Sequence, residues 1–360
     1  MNLLVVSNMY PSAKAPFYGT FVKTFYEYVS RANTGGHTEL MTMYGRQNSK
    51  WGKILAYTKY YLSLTAKLLT TRADLIYVHT IAYPMPAIRI ARLLRPRLPI
   101  VYNVHGNDVI PRLKAQRLLM PLAVPELPKA RMIVAPSPYF ADVVREVFHG
   151  IDPDKMAVSP SGGLSPQFYV DRLPVAELPE VPLIGTVTRL DKNKGVDVLL
   201  KALASVRERG YRFRAQIAGR GELDESLHAL STSLGMDDCV EFIGPVPHDS
   251  LPQKYAQFDL FVFPTMLSES LGLVGLEAMA ASCPVIVSDH GGPATYVEHG
   301  LDGFKFTRGS DQDLADMICR YLDLSPEQRR QMSMAARRKA EKFRTDTVME
   351  DLWKKIQALV

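Results

Sequence analysis

The residues best suited to chemistry lie in LFVFPTMLSESLGLVGLEAMAASCPVIVSDHGGPATYVEHGLDGF, positions 260–304 of a 360-residue chain. An apolar run ends at Pro264, and a helix is expected to begin near Leu271-Gly272. Free backbone N–H groups and the positive end of a helix dipole then lie just beyond a buried strand. Such a helix start attracts a phosphate. Glu269 stands just before it and Glu277 about two turns along it, so one carboxylate is at the ligand and the other further back. A carboxylate beside an anion site is unfavourable unless other groups donate to it, and sugar hydroxyls are the obvious donors. Taken alone, the two glutamates fit equally well as a dipole-stabilising residue and a solvated surface one.

A second segment, GTVTRLDKNKGVDVLLKAL at 185–203, places Arg189 and Lys194 after a strand and before a helix, with Gly195 at the turn. Two cations and a helix start suit a diphosphate, whose charge they would stabilise as a leaving group. A lone basic pair in such a loop is ordinarily solvated surface, and its co-occurrence with the glutamates is what makes it informative. In the first half, the strand Pro99 to Val104 runs into His105-Gly106-Asn107-Asp108, which presents an imidazole and a carboxylate at a strand end; alone, His105 reads as structural. Gly19, at the end of NMYPSAKAPFYG, would let the backbone approach a ligand closely.

The elements that position these residues alternate along the whole chain. Short runs rich in Leu, Ile and Val (3–6, 75–78, 100–104, 132–135) are separated by segments of helical spacing, which is the pattern of parallel sheets with crossover helices. Proline-rich text at 164–182 reads as a connection, and a second series follows with strands at 183–187, 214–218, 240–242, 260–263 and 285–288. The expected organisation is α/β: a Rossmann-like acceptor-binding domain over 1–168, a second Rossmann-like domain binding a nucleotide sugar over 169–342, and an amphipathic helix over 343–360 packing back on the first. Two such domains facing each other make a cleft at the carboxyl ends of their strands, where ligands of open α/β sheets bind.

Composition narrows the classes. Cys239, Cys283 and Cys319 are odd in number and form no C-x-x-C, against a disulfide framework or zinc site. The opening residues lack a basic n-region, and no stretch reaches the length of a membrane span, so a cytoplasmic protein is expected. The formal charge of +6 is unevenly placed: residues 1–170 hold 20 Lys/Arg and 9 Asp/Glu, while the remainder is net acidic.

The strand, E-x(7)-E segment, A-M-A, PVIVS and GG order strongly resembles the family-4 retaining glycosyltransferases of GT-B fold, in which two Rossmann-like domains face each other. Arg189-Leu190 with Lys194-Gly195, Gly219-Arg220-Gly221-Glu222, Gly244, Ser137 and Gly162 extend the likeness over nearly the whole chain. The resemblance implies that Glu269 binds donor-sugar hydroxyls, Glu277 the nucleotide ribose, and Arg189 with Lys194 the diphosphate, to which backbone amides around Gly272, Leu273 and Val274 add. It makes His105 the histidine near the reacting centre and Gly19 the glycine approaching the diphosphate. Asp108 would lie on the acceptor side. Retention through an oxocarbenium-like transition state is implied by the family alone. Ser282-Cys283 and Thr295 depart from the pattern, where a glycine and a glutamate are usual.

No cofactor or metal is expected. Asp152-Pro153-Asp154 fits a D-x-D string but reads as a turn, and Arg189 and Lys194 already supply positive charge. The implied partners are a UDP- or GDP-linked donor and a saccharide or lipid-linked saccharide acceptor of surface polysaccharide assembly. Two basic stretches, 50–72 with its tyrosines and Trp51, and Arg89, Arg92, Arg95 and Arg97, suit an anionic membrane surface or, equally, a core helix with a solvated face. No nucleic-acid-binding module accompanies the charge. The alternatives are a GT-B epimerase or hydrolase and a non-catalytic nucleotide-sugar binder; an NAD enzyme is disfavoured because Gly219-x-Gly221 lacks a third glycine.

Overall fold

The computed structural model describes residues 1–13, 15, 18–43, 49–111 and 113–360, with Lys50 by its backbone alone. Lys14, Pro16 and Phe17, from the loop read as leading into Gly19, lie outside the described residues, as does the Lys50 side chain that opens the expected basic helix.

The chain forms two units, residues 1–163 with 346–360, and residues 164–345. The first contains β1 (Asn2–Val6), β2 (His37–Met41), β3 (Leu75–His79), β4 (Ile100–Asn103), β5 (Met132–Ala135) and β6 (Met156–Val158). All pair in parallel, in the order β2-β1-β3-β4-β5-β6. Every residue of β3, β4 and β5 is buried, because helices cover both faces of the sheet and leave no solvent side on which polar residues could alternate. One face packs Leu64, Leu68, Ile88 and Ala91 against Leu4, Ile76 and Ile100. The other packs Phe25 and Val29 beside Val348, Leu352 and Ile356 of the terminal helix Thr345–Gln357. That helix buries Val348, Met349, Leu352, Trp353 and Ile356, and Lys355 Nζ reaches the carbonyl of Val158 at 3.2 Å.

The second unit contains β7 (Leu183–Val187), β8 (Arg214–Ala218), β9 (Val240–Gly244), β10 (Leu260–Phe263), β11 (Val285–Ser288) and β12 (Gly303–Phe306). They form a parallel sheet of order β12-β11-β10-β7-β8-β9. From β7 the chain winds outward through β8 to β9, then returns to lay β10 on the opposite side of β7. The loops after β7 and β10 therefore leave a topological switch point, where open α/β sheets bind ligands. The first unit has its own switch point between β1 and β3.

The division falls at Gly163–Leu164, a few residues before the boundary read from the sequence, because Leu164 and Phe168 belong to the core of the second unit with Tyr255, Phe258 and Phe261. The arginine series needs a larger correction. Arg92 is 8% exposed, ion-paired with the buried Glu126 at 2.9 Å and bonded to the carbonyls of Pro96 and Leu98. Arg89 joins the same carboxylate at 2.8 Å, and Arg95 caps the carbonyls of Leu68 and Thr71. Three of the four arginines thus hold the fold together and do not form a free basic surface. Among the described residues no helix is long and apolar enough to cross a membrane.

Candidate functional site

In the second unit the loops after β7 and β10 are fastened to one another. The amide of Met266 donates to the carbonyl of Asn193 at 2.9 Å. Gly195, which begins the helix Val196–Glu208 with φ 74°, lies so close to Pro264 that a Cβ there would meet the Pro264 carbonyl oxygen at 1.9 Å. This contact carries Lys194 onto the second loop, where its Nζ donates to Glu269 Oε1 at 2.6 Å. Both side chains are mostly withdrawn from water, Lys194 at 13% and Glu269 at 21% exposure, so their attraction is screened less than that of a surface ion pair. Thr265, fully buried, donates to the same oxygen at 3.3 Å. The backbone of Glu269 is fixed from the β11 side, its carbonyl accepting from the amide of Gly292 at 2.7 Å.

Glu269 leads into the helix Leu273–Ala280, whose N-cap is Gly272 at φ 82° and ψ 59° without a side-chain cap. Gly272, Leu273 and Val274 are half-buried, while the helix from Gly275 onward is buried throughout. The first turn is accordingly the open end of an otherwise enclosed helix, with amides and dipole directed as an anion site requires. Tyr296 steadies it by donating its hydroxyl to the Gly272 carbonyl at 2.8 Å.

Glu277 is not a solvated surface residue. It is 8% exposed and accepts from the Tyr255 hydroxyl at 2.8 Å. Burial pushes its carboxyl up to about 7, with the Tyr255 hydrogen bond acting in the opposite direction. Arg189 is less involved than expected: its guanidinium pairs with Asp191 and its side chain is 65% exposed, at the edge of the site. Lys194, Glu269, Gly272, Leu273 and Val274 therefore converge at the switch point, Glu277 lies deeper on the same helix, and Arg189 stands outside.

The first unit gathers a separate set at its own switch point. Gly19 starts the helix Thr20–Ala32 with φ 80°, and a Cβ there would meet the Met9 backbone at 3.0 Å. Thr80, itself at φ 63°, donates to Asn8 at 2.9 Å and ties the loop after β3 to the loop after β1. His105 follows β4, packs on Phe21 with ring centroids 4.1 Å apart, and meets His79 at 3.2 Å. Burial lowers the pKa of His105 to about 3, so the imidazole is neutral at physiological pH. Asp108 departs from the acceptor-side expectation. It is 4% exposed, and its Oδ1 accepts from the amides of His105 and Gly106 at 2.9 and 2.8 Å, so it shapes the loop that carries the histidine. Asp152 likewise serves its own turn, accepting from the Asp154 amide at 3.0 Å.

Sequence reasoning missed Tyr255, Thr265, Tyr296 and His79. Tyr255 and Tyr296 come from elements distant in sequence from the groups they bond, and no local pattern marks them, whereas Thr265 lies in the same loop as Glu269 and was within reach of a local reading. His79 ends a strand as LIYVH, the same kind of signal that singled out His105.

Comparison with known proteins follows the same division. Residues 174–339 match the family described as Glycosyl transferases group 1, and residues 40–162 match Glycosyltransferase Family 4. The amylovoran biosynthesis glycosyltransferase AmsK of Erwinia amylovora is 27% identical over 226 residues, 61% of this chain and 51% of that protein. The GDP-mannose-dependent alpha-(1-6)-phosphatidylinositol monomannoside mannosyltransferase of Mycobacterium tuberculosis is 36% identical over 151 residues, 40% of this chain and 39% of that protein. The chain thus spans about half the length, or less, of the curated relatives it matches. Anabaena HepE, solved in complex with UDP, superposes with a TM-score of 0.74 at 20% identity, covering 99% of this chain and 100% of that one, a likeness of fold. With one glycosyltransferase family model matched within each unit and the fold shared over nearly the whole chain, the chain belongs to the family-4 glycosyltransferases of GT-B fold.

Proposed function

We propose that the chain is a retaining, metal-independent glycosyltransferase of the hexosyltransferase class, moving a sugar from a UDP- or GDP-linked donor to an acceptor hydroxyl. The observation that carries this reading is the Lys194–Glu269 pair beside the uncapped start of the helix Leu273–Ala280. A nucleotide diphosphate sugar presents both chemistries this site can accept. Its phosphates suit Lys194 and the amides of Gly272 to Val274, with Arg189 able to swing in from the edge. Its sugar hydroxyls donate to Glu269, and the ribose hydroxyls to Glu277. The bond from the anomeric carbon to the phosphate oxygen breaks, the pair leaving with the diphosphate, and the acceptor oxygen bonds to the same face of that carbon. The acceptor proton passes to the departing phosphate oxygen. The cations and amides favour this step by stabilising charge that grows on the leaving group. Gly19 and His105 are assigned to the donor and the reacting centre from the first unit.

The acceptor in this reading is a lipid-linked saccharide of surface polysaccharide assembly, met at the cytoplasmic face of a membrane. The printed names of the relatives support it, one acting in amylovoran biosynthesis and one on a phosphatidylinositol mannoside. So does the surface of the first unit, where Trp51, Leu55, Leu62, Ile90, Leu93 and Leu94 are all more than half exposed on two helices that pack together. Such an apolar surface is unusual without a partner, and Lys53 and Lys59 are exposed on the same helix as Trp51.

The test is a thermal-shift screen of UDP, GDP and ADP with their common sugars, followed by transfer assays. One nucleotide sugar should stabilise the protein, and Lys194→Ala should abolish the shift while leaving the circular dichroism spectrum intact. Stabilisation that survives Lys194→Ala unchanged would refute the donor site.

A further inference from the structure

We infer that His79 is a positioning residue that fixes which ring nitrogen of His105 carries the proton, making His105 Nδ1 a hydrogen-bond donor and its Nε2 an acceptor. His79 ends β3 and is 1% exposed. Its Nδ1 lies 3.2 Å from His105 Nε2, and the two rings are inclined by only 18°. Their centroids are 5.4 Å apart, close to the nitrogen separation plus one ring radius on each side, so the two nitrogens point at one another. This is an in-plane N–H···N hydrogen bond in which one ring donates and the other accepts.

The direction follows from the far side of His79. Phe25, with a centroid separation of 4.9 Å, Tyr77 at 5.1 Å and Phe21 at 5.8 Å surround the ring, and its Nε2 is buried without a hydrogen-bond partner among the described residues. If His105 donated, His79 would have to carry its own proton on Nε2, a buried N–H without an acceptor, which is the rarer and costlier kind of orphan. Placing the proton on His79 Nδ1 leaves only a bare lone pair in the aromatic box. His79 then donates, His105 Nε2 accepts, and the His105 proton resides on Nδ1. Both rings are neutral, since burial lowers the two pKa values and His105 lowers that of His79 further. Fixing a catalytic imidazole's tautomer through its other nitrogen is a recognised way of setting its role. Here it makes His105 a donor toward oxygen atoms and not a base through Nε2. That consequence rests on the proposed placement of His105 near the reacting sugar; the tautomer itself does not.

The test is ring-nitrogen NMR on the full chain labelled at histidine. In the wild type His105 should show N–H character at Nδ1 and a bare, accepting Nε2. His79→Phe, which keeps the ring volume in the aromatic box, should move His105 toward the Nε2–H form. His79→Asn, whose amide can donate from about the place of Nδ1, should restore the wild-type pattern. With the donor identified by thermal shift, kcat should fall roughly tenfold in His79→Phe with little change in donor KM, and recover in His79→Asn. A wild-type spectrum with the proton on His105 Nε2 overturns the proposal, even if no variant folds. A tautomer that follows His79 while turnover ignores both variants supports the proposal and refutes instead the placement of His105 at the reacting centre.

Discussion

Replacing Glu277 by glutamine should make the second unit more stable at alkaline pH. The carboxyl of Glu277 is 8% exposed, and its folded pKa is about 7 against an ordinary value of 4.5. At about 1.4 kcal/mol per unit, this shift amounts to about 3 kcal/mol between the two protonation states. The sign is fixed by proton binding. Between pH 4.5 and 7 the folded state holds a proton that the unfolded state has released, so stability falls as pH rises. The favourable contribution is fully present below 4.5 and is lost as pH passes through 7. Glu277→Gln does not titrate, and its amide oxygen can still accept from Tyr255. The stability difference, variant minus wild type, should therefore be flat below pH 4.5, climb between 4.5 and 7, and level off above that about 3 kcal/mol higher. Urea denaturation read by circular dichroism suits the measurement, because Trp51 and Trp353 both lie in the first unit and their emission would report on the wrong one. Taking the difference at each pH removes the titrations common to both proteins. A difference independent of pH would refute the reasoning. The proposed placement of the ribose gives a binding signature: hydroxyls donating to this carboxyl would favour its ionised form, so nucleotide binding near pH 7 should release protons, visible as a buffer-dependent enthalpy.

Three further perturbations test other parts of the account. Gly195→Ala places a Cβ 1.9 Å from the Pro264 carbonyl at φ 74° and should destabilise the protein by more than about 1 kcal/mol while weakening donor binding; an unchanged thermal midpoint would contradict the close approach of the two loops. Leu93→Glu with Leu94→Glu should lower partition onto anionic vesicles, since burying each leucine contributes roughly 1.5–3 kcal/mol; sedimentation with vesicles that is indifferent both to these changes and to salt would remove the membrane from the proposal. Transfer should persist after EDTA treatment and repurification, and activity lost then but restored by magnesium or manganese would overturn metal independence.

The parts of the fold legible in the sequence are those where burial is complete. The interior strands β3, β4, β5, β10 and β11 announce themselves as apolar runs because both faces are covered. The strands that went unread, β2, β6 and β12, are three of the four sheet edges: His37 and Glu39 interrupt the apolar pattern of β2, Lys305 that of β12, and β6 is only three residues long. The site divides in a similar way. Lys194, Glu269 and Gly272 could be placed because each lies within a few residues of a strand end or helix start. Tyr255 could not be placed against Glu277, because their bond depends on how two helices pack. Charge was the least reliable guide: Arg89 and Arg92 look like surface residues until the buried Glu126 appears opposite them.

The Lys194–Glu269 pair also explains why this site should demand a composite ligand. Each residue is the other's counterion at 2.6 Å, in a setting mostly withdrawn from water. A bare phosphate could neutralise Lys194, but it would bring a second negative charge against Glu269, leaving the carboxylate, among the described residues, the Thr265 hydroxyl in place of the ammonium. A neutral sugar could donate hydroxyls to Glu269, yet it would leave the ammonium without its anion. Separating a half-buried pair by satisfying one partner alone leaves an uncompensated charge, which is the most unfavourable outcome for such a pair. A molecule carrying an anionic diphosphate and hydroxyl donors on adjacent groups satisfies both together, and the helix start adds its amides on the phosphate side. On the proposed reading, selectivity for sugar and phosphate joined in one ligand should then follow from the ion pair itself, and should depend on Gly195 allowing the two loops to touch.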